Sequence, residues 1–210
     1  RCFPHVINIA VTTAIEQMKA MPLSPESSAQ NSQYAKILTG DLIKKVRQLV
    51  TACRASGQWR EDLRNTISDG NDRGIWELRV VELLKDVDTR WSSLFLMIDQ
   101  VLELYSAIGS FLSQPKHSAA IGNHTLYPAE LRALNDIREF LSIPHTVQEL
   151  LSAEKTPTLA LAMPLYERLI SMLKDLHNTL PLLSPAITAS ISKLEEYVLL
   201  SCKSRVYGLA

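Results

Sequence analysis

The sequence predicts an all-α fold. Apolar residues recur at spacings of three and four along most of the 210 residues, the pattern of helices with one buried face. Ten prolines fall mainly between these periodic segments, where they punctuate helices. One short apolar run, Val80–Leu84, is the only strand candidate, and so brief a run reads equally well as an extended lead-in. About seven or eight helices in a single helical region over residues 1–210 are expected.

The elements follow in order. Val6, Ile9, Ala10, Thr13, Ala14 and Gln17 mark a helix over His5–Met18, ending near Pro22 and Pro25. The serine- and proline-bearing stretch after it predicts a loop near 22–38. A second helix starts at Thr39 or Asp41, either of which is a suitable cap. Its stripe is Leu42, Val46, Leu49, Val50 and Cys53, with Lys44, Lys45, Arg47 and Arg54 largely off it.

A short helix over Gln58–Thr66 precedes a loop near 68–75, where Ser68, Asp69, Gly70, Asn71 and Gly74 supply turn chemistry. The clearest helix runs over Trp91–Leu112, with Trp91, Leu94, Phe95, Ile98, Val101, Leu102, Tyr105 and Ile108 in phase, capped by Asp88 or Thr89. A loop near 113–127 follows, and Pro128 opens a helix to Leu141. Pro144 interrupts it before a restart to Leu151. The last two helices, Pro164–Leu180 and Pro185–Ser201, share so short a link that they are expected to be antiparallel neighbours.

Composition narrows the function classes. Apolar residues make up 46% of the chain, enough for a substantial core and unlike a disordered segment. Lys+Arg and Asp+Glu balance at 22 each, which argues against a strongly basic nucleic-acid module. With only 7 glycines, mostly isolated, the chain has no glycine-rich phosphate loop. Cys2, Cys53 and Cys202 have neither zinc-finger nor disulfide-framework spacing. No apolar run approaches the roughly 20 residues of a bilayer span, so no membrane is expected. The start, Arg1-Cys2-Phe3-Pro4-His5, is no signal peptide and lacks an initiator methionine, so part of a longer chain is expected.

Two constellations carry chemistry. Cys2 and His5, three apart, have thiolate and imidazole donors suited to zinc, but a structural site takes four ligands and no second pair follows. As a nucleophile–base pair they lack an orienting third group and an oxyanion site. A packed helix start is the simpler reading. The second is Asp86-Val87-Asp88-Thr89-Arg90-Trp91-Ser92-Ser93. Its carboxylates suit a divalent ion only if their oxygens converge, and helix capping accounts for them more simply. Arg90 with Trp91 is the pairing that binds a phosphate and stacks an unpaired base. On residues alone, Trp91 as a core anchor beside a solvated Arg90 is the simpler alternative. His117, His124, His145 and His177 are scattered, and Trp59 and Trp76 read as packing residues.

The order of these motifs resembles the hAT superfamily of transposases. Cys2-x-x-His5-x-x-Asn8-Ile9 is similar to its C/D-x-x-H-x-x-N-hydrophobic signature, and Cys53-Arg54-Ala55-Ser56 to its helix closing in R-x-S. The run from Asp86 to Ser93 resembles D-V-x-T-R-W-N-S, with Ser92 where Asn is usual. Thr146, Leu150-Leu151-Ser152, Pro157-Thr158-Leu159 and Pro164 are similar to a T…LS…PTL…P run, and Lys193-Leu194-Glu195-Glu196-Tyr197 to a K-L-x-x-Y close.

The resemblance implies an RNase H-like transposase whose DDE carboxylates hold two divalent metals, Mg in the parent protein. Residues 1–210 would be the helical insertion, lacking those carboxylates and holding no cofactor or metal. By position, His5 would assist near the catalytic centre, Trp91 would stack on a flipped base at a DNA hairpin, and Arg90 would support it. Cys2, Asn8, Thr89 and Ser93 are the remaining motif positions. The partners implied are transposon-end DNA and a second copy of the protein, in the nucleus, often with a BED-type zinc finger upstream. The alternative is a domesticated or unrelated helical scaffold for protein interaction, without transposition.

Overall fold

A computed structural model describes residues 3–21, 29–87, 91–153 and 159–202. They form ten α-helices, with no strand among the described residues. The all-α class is as expected. The helix number exceeds seven or eight because two segments read as loop are helices and one long helix is broken, while the two helices expected on either side of Pro144 are one.

Two compact units form: Arg1–Gly40 with Asp136–Ala210, and Asp41–Asn135. The first contains α1 (Phe3–Lys19), α2 (Ala29–Thr39), α9 (Leu159–Thr179), α10 (Ser184–Cys202) and the later part of α8 (Pro128–Ala153). Helix α1 buries Val6, Ile7, Ala10, Val11, Ala14 and Met18, and packs on α10. Helix α10 turns Ala186, Ile187, Ile191 and Leu194 inward and also packs on α9, its expected neighbour. Full burial of such an aliphatic side chain contributes roughly 1.5–3 kcal/mol, so these stripes dominate the unit.

Three expectations in this unit are corrected. Ala29–Thr39, inside the loop expected near 22–38, is α2, with Tyr34, Ala35 and Leu38 buried; residues 22–28 lie outside the described residues. Helix α8 continues through Pro144, and α9 carries Pro164 inside it. Pro144 forgoes one backbone bond, yet it is buried on the same face as Leu141 and Val147, so packing offsets the loss.

The second unit contains α3 (Leu42–Cys53), α4 (Gly57–Asp72), α5 (Trp91–Glu103), α6 (Tyr105–Ser113), α7 (Pro115–Ile121) and a 3-10 turn (Gly122–His124). Asp41, not Thr39, caps α3: it adopts a left-handed backbone (φ 57) and its carboxylate accepts from the Lys44 N–H at 3.1 Å. The α3 stripe is buried as expected. Helix α4 runs past the short helix expected and takes in most of the loop expected near 68–75. Gly70 lets it, because the Trp76 indole lies where a Cβ would stand, 2.0 Å from Cε2. The helix closes at Gly74 (φ 66), with Ile75 N–H bonded to Gly70 O and Gly74 N–H to Asn71 O, both at 2.9 Å.

The helix expected over Trp91–Leu112 is two helices bent by 68°. At the break the buried Leu104 has φ −93 and ψ 4, and the Tyr105 hydroxyl bonds both the N–H and the carbonyl of Leu126 at 2.7 Å. Apolar phase survives the bend, which is why periodicity reads through it. Helix α7 occupies part of the loop expected near 113–127. No single helix among the described residues is long and apolar enough to cross a membrane.

Candidate nucleic-acid interface

Between α4 and α5 residues 76–87 run extended without a strand partner. Val80–Leu84 is therefore the lead-in rather than a strand, and side chains satisfy its backbone. Asn71 donates to Leu78 O at 2.8 Å and accepts from Leu78 N–H at 2.9 Å. Gln100 accepts from Leu84 N–H at 2.6 Å and donates to Glu82 O at 3.1 Å. Arg54, closing α3, donates to Leu83 O while the Leu83 side chain is fully buried.

The segment ends on the motif singled out above. The Asp86 carboxylate, 3% exposed, accepts from Arg47 Nε at 2.6 Å and from the Ser93 hydroxyl at 2.7 Å. Val87 N–H donates to the same Ser93 oxygen at 2.8 Å. Asp86 and Ser93 thus tie together the two flanks of residues 88–90, which lie outside the described residues. The expected cap by Asp88 or Thr89 and the role of Arg90 fall on those positions. Arg47, Val50, Thr51, Lys85, Asp86 and Met97 line a small open pocket beside the brace.

Trp91 opens α5 and is 8% exposed, within the packed core of its unit. Stacking on a base therefore needs the base to reach the uncovered part of the ring, or the ring to leave the core. His5 is exposed on α1 and Asn8 half-buried one turn later; both belong to the other unit, and Cys2 lies outside the described residues.

Among the described residues no three His, Cys, Asp or Glu side chains cluster as a metal site needs, so no step through a divalent ion is derived. Burial pushes the Cys53 thiol up to about 12, which removes it as a nucleophile or thiolate ligand at neutral pH.

Two clusters went unread in the sequence. Arg54, Arg60 and Arg64 surround Glu82 at 3.4, 3.9 and 3.9 Å. Arg60 and Arg64 stand four apart on α4, a spacing that puts two cations on one helix face, but Glu82 joins them only through the fold. In the second cluster, the buried Asp62 carboxylate accepts from Lys116 Nζ at 3.0 Å and Gln58 Nε2 at 3.1 Å, and His117 Nε2 lies 3.2 Å from it without a hydrogen bond. The Lys116 ammonium, with help from Gln58 and His117, holds this carboxyl below the usual range. His117 is buried edge-on to Trp59 and lies over Phe111, so it packs as an aromatic.

A helical unit whose extended linker is tied back to α5 through Asp86 and Ser93 is the setting of the Asp86–Ser93 motif. The family model described as the ZBED1 RNase-like helical domain matches residues 1–140. The chain belongs to that family, in agreement with the hAT-like resemblance of its motifs. The match spans both the Cys2–Asn8 and Asp86–Ser93 motifs, whereas the run from Thr146 to Tyr197 rests on its motifs alone. No curated protein and no solved structure matches the chain.

Proposed function

We propose that this chain is the helical insertion domain of a hAT-like DNA transposase or of a domesticated descendant, and that it holds DNA rather than cutting it. The observation that carries this reading is the Asp86 brace. A buried carboxylate, a guanidinium and a hydroxyl fix both flanks of residues 88–90, at the position where the family resemblance puts the Arg90–Trp91 contact with a flipped base. Lys85, exposed beside the brace, adds positive charge for the backbone of such a strand. In this reading the metal-binding carboxylates belong to an accompanying RNase H-like domain, His5 serves as an accessory near it, and the protein works in the nucleus on transposon-end DNA.

The test is binding of hairpin-bearing DNA by Trp91→Leu, which keeps an apolar side chain in the core and removes the aromatic face. Stacking of a base on an indole is worth about 1–3 kcal/mol, so affinity should weaken by roughly five- to a hundredfold, with the helical circular-dichroism spectrum unchanged. Equal binding by the variant and the parent chain sinks the stacking role. No hairpin binding by the parent chain sinks the reading as a whole.

A further inference from the structure

The apolar side chains left exposed are not spread evenly. Among the described residues, five of the nine large ones lie between Ile75 and Leu96, on the linker and the start of α5. Three of them, Leu84, Val87 and Leu96, are 45%, 51% and 43% exposed. The bonds that hold the linker set their place. Gln100 accepts the Leu84 N–H and Ser93 the Val87 N–H, so the linker runs antiparallel to α5 along the line from Ser93 to Gln100. Helical spacing puts Met97 on one side of that line and Leu96 on the other. Met97 is buried, whereas Leu96 faces out, as do Leu84 and Val87 of the adjacent linker. Single exposed apolar residues are ordinary on a surface; a group of them beside a motif marks a contact.

The motif next to this group needs such a surface. Trp91 opens α5 but is itself mostly covered, so it offers little indole face to a base. An unpaired nucleotide brings apolar base faces and a flanking phosphate. Leu84, Val87 and Leu96 suit the faces. Lys85, exposed between Leu84 and Asp86 and without an ion pair among the described residues, suits the charge. The backbone that presents them is fixed, because the Leu83 side chain is fully buried and the Asp86 carboxylate is held by Arg47 and Ser93. Stiffly mounted aliphatic side chains are what proteins insert at a base step to unstack it.

We propose that Leu84, Val87 and Leu96 form an aliphatic wedge that covers the unstacked base step at the foot of a DNA hairpin, with Lys85 on the adjoining phosphate. The proposal rests on the DNA-holding reading above and deepens it, because it assigns cover of the opened step to side chains that are already at the surface. An aliphatic wedge makes no hydrogen bond to a base edge. It therefore selects an opened step over regular duplex, rather than one sequence over another.

The experiment uses the full 210-residue chain and a DNA hairpin whose last stem step carries a fluorescent adenine analogue that brightens when it unstacks. The parent chain should brighten the probe. Leu84→Gln/Leu96→Gln, at two exposed positions, should keep the helical spectrum, bind about tenfold more weakly and lose most of the brightening. Its salt slope should match the parent's, since no cation is removed, whereas Lys85→Gln should flatten the slope by roughly 1 and keep the brightening. Should the double variant lose its helical spectrum, Leu96→Gln alone carries the test, with a loss of about threefold. Parent-like affinity and brightening in these variants, or hairpin binding by the parent without brightening, overturn the wedge and leave the DNA reading standing. Absence of hairpin binding by the parent chain overturns both. If the double variant loses concentration-dependent self-association in sedimentation while its hairpin affinity holds, the patch serves a second copy of the chain, and the proposal is overturned.

Discussion

The two compact units are built on different physics. In the unit of α1, α2, α9, α10 and the later part of α8, helices meet along apolar stripes, with the Tyr34 hydroxyl donating to Asp136 at 2.7 Å and Lys174 pairing with Glu195 at 2.8 Å. In the unit of α3–α7, the chain crosses twelve extended residues, 76–87, whose path is set by side chains bonding to backbone. Stripes tolerate exchange of one aliphatic residue for another of similar volume. Side-chain-to-backbone bonds do not, because each removed partner strands a group already withdrawn from water. The second unit should therefore be the brittle one at its polar positions.

Gln100→Leu tests that difference most severely. Its amide, buried on α5, serves Leu84 N–H and Glu82 O at once. Leucine keeps the volume and removes both bonds. With about 1–3 kcal/mol for each stranded group, a loss of about 3 kcal/mol is expected, the neighbouring solvent relieving part of it. Hydrogen exchange at the Leu84 amide should accelerate far more than at amides of α10. An unchanged Leu84 amide would mean that Arg54 and the buried Leu83 hold the linker by themselves.

Gly70→Ala comes next. Inside a helix this exchange ordinarily stabilises by about 0.5–1 kcal/mol. Here the new methyl would fall 2.0 Å from Trp76 Cε2, and the indole is held by its N–H to Ile67 O at 3.0 Å. Displacing it costs about 1–3 kcal/mol and breaks that bond, so the net expectation is a loss of about 2 kcal/mol. Trp76 fluorescence should shift to the red as the ring moves outward. A stabilised variant with unshifted emission would show that α4 unwinds cheaply at its end.

These positions also show what was legible beforehand. The α1, α3 and α10 stripes could be read because burial repeats every three or four residues, and a helix needs little else to declare itself. Gly70 and Gly74 sit four apart in a turn-like string, and only the tertiary contact with Trp76 makes the first a helix interior and the second its end. The bend at Leu104 was invisible because apolar phase continues across it. Ser93 stands out in the sequence as a motif position, but its bond to Asp86 depends on the linker returning to α5. The Arg54–Arg60–Arg64 group was unreadable because its focus, Glu82, lies beyond α4 in sequence.

The smallest effect separates the units by sign. Lys116, Gln58 and His117 favour the charged form of Asp62, so its folded value lies below its unfolded one. That group contributes stability above the unfolded value, and the contribution is lost as pH falls through the folded one. Asp136 is opposite: burial raises it more than the Tyr34 hydroxyl bond lowers it, and Glu139 adds to the rise. Its folded form takes up a proton more readily than its unfolded form, so acidification through the folded value relieves a cost. Carboxyl NMR titration should find Asp62 below and Asp136 above the ordinary range near pH 3.9. Asp62→Asn should blunt the acid sensitivity of the second unit, and Asp136→Asn should leave the first without its gain on acidification. Identical midpoints for the two carboxyls would break the contrast, since it would mean that Lys116 and Gln58 bind Asp62 no more firmly than Tyr34 binds Asp136.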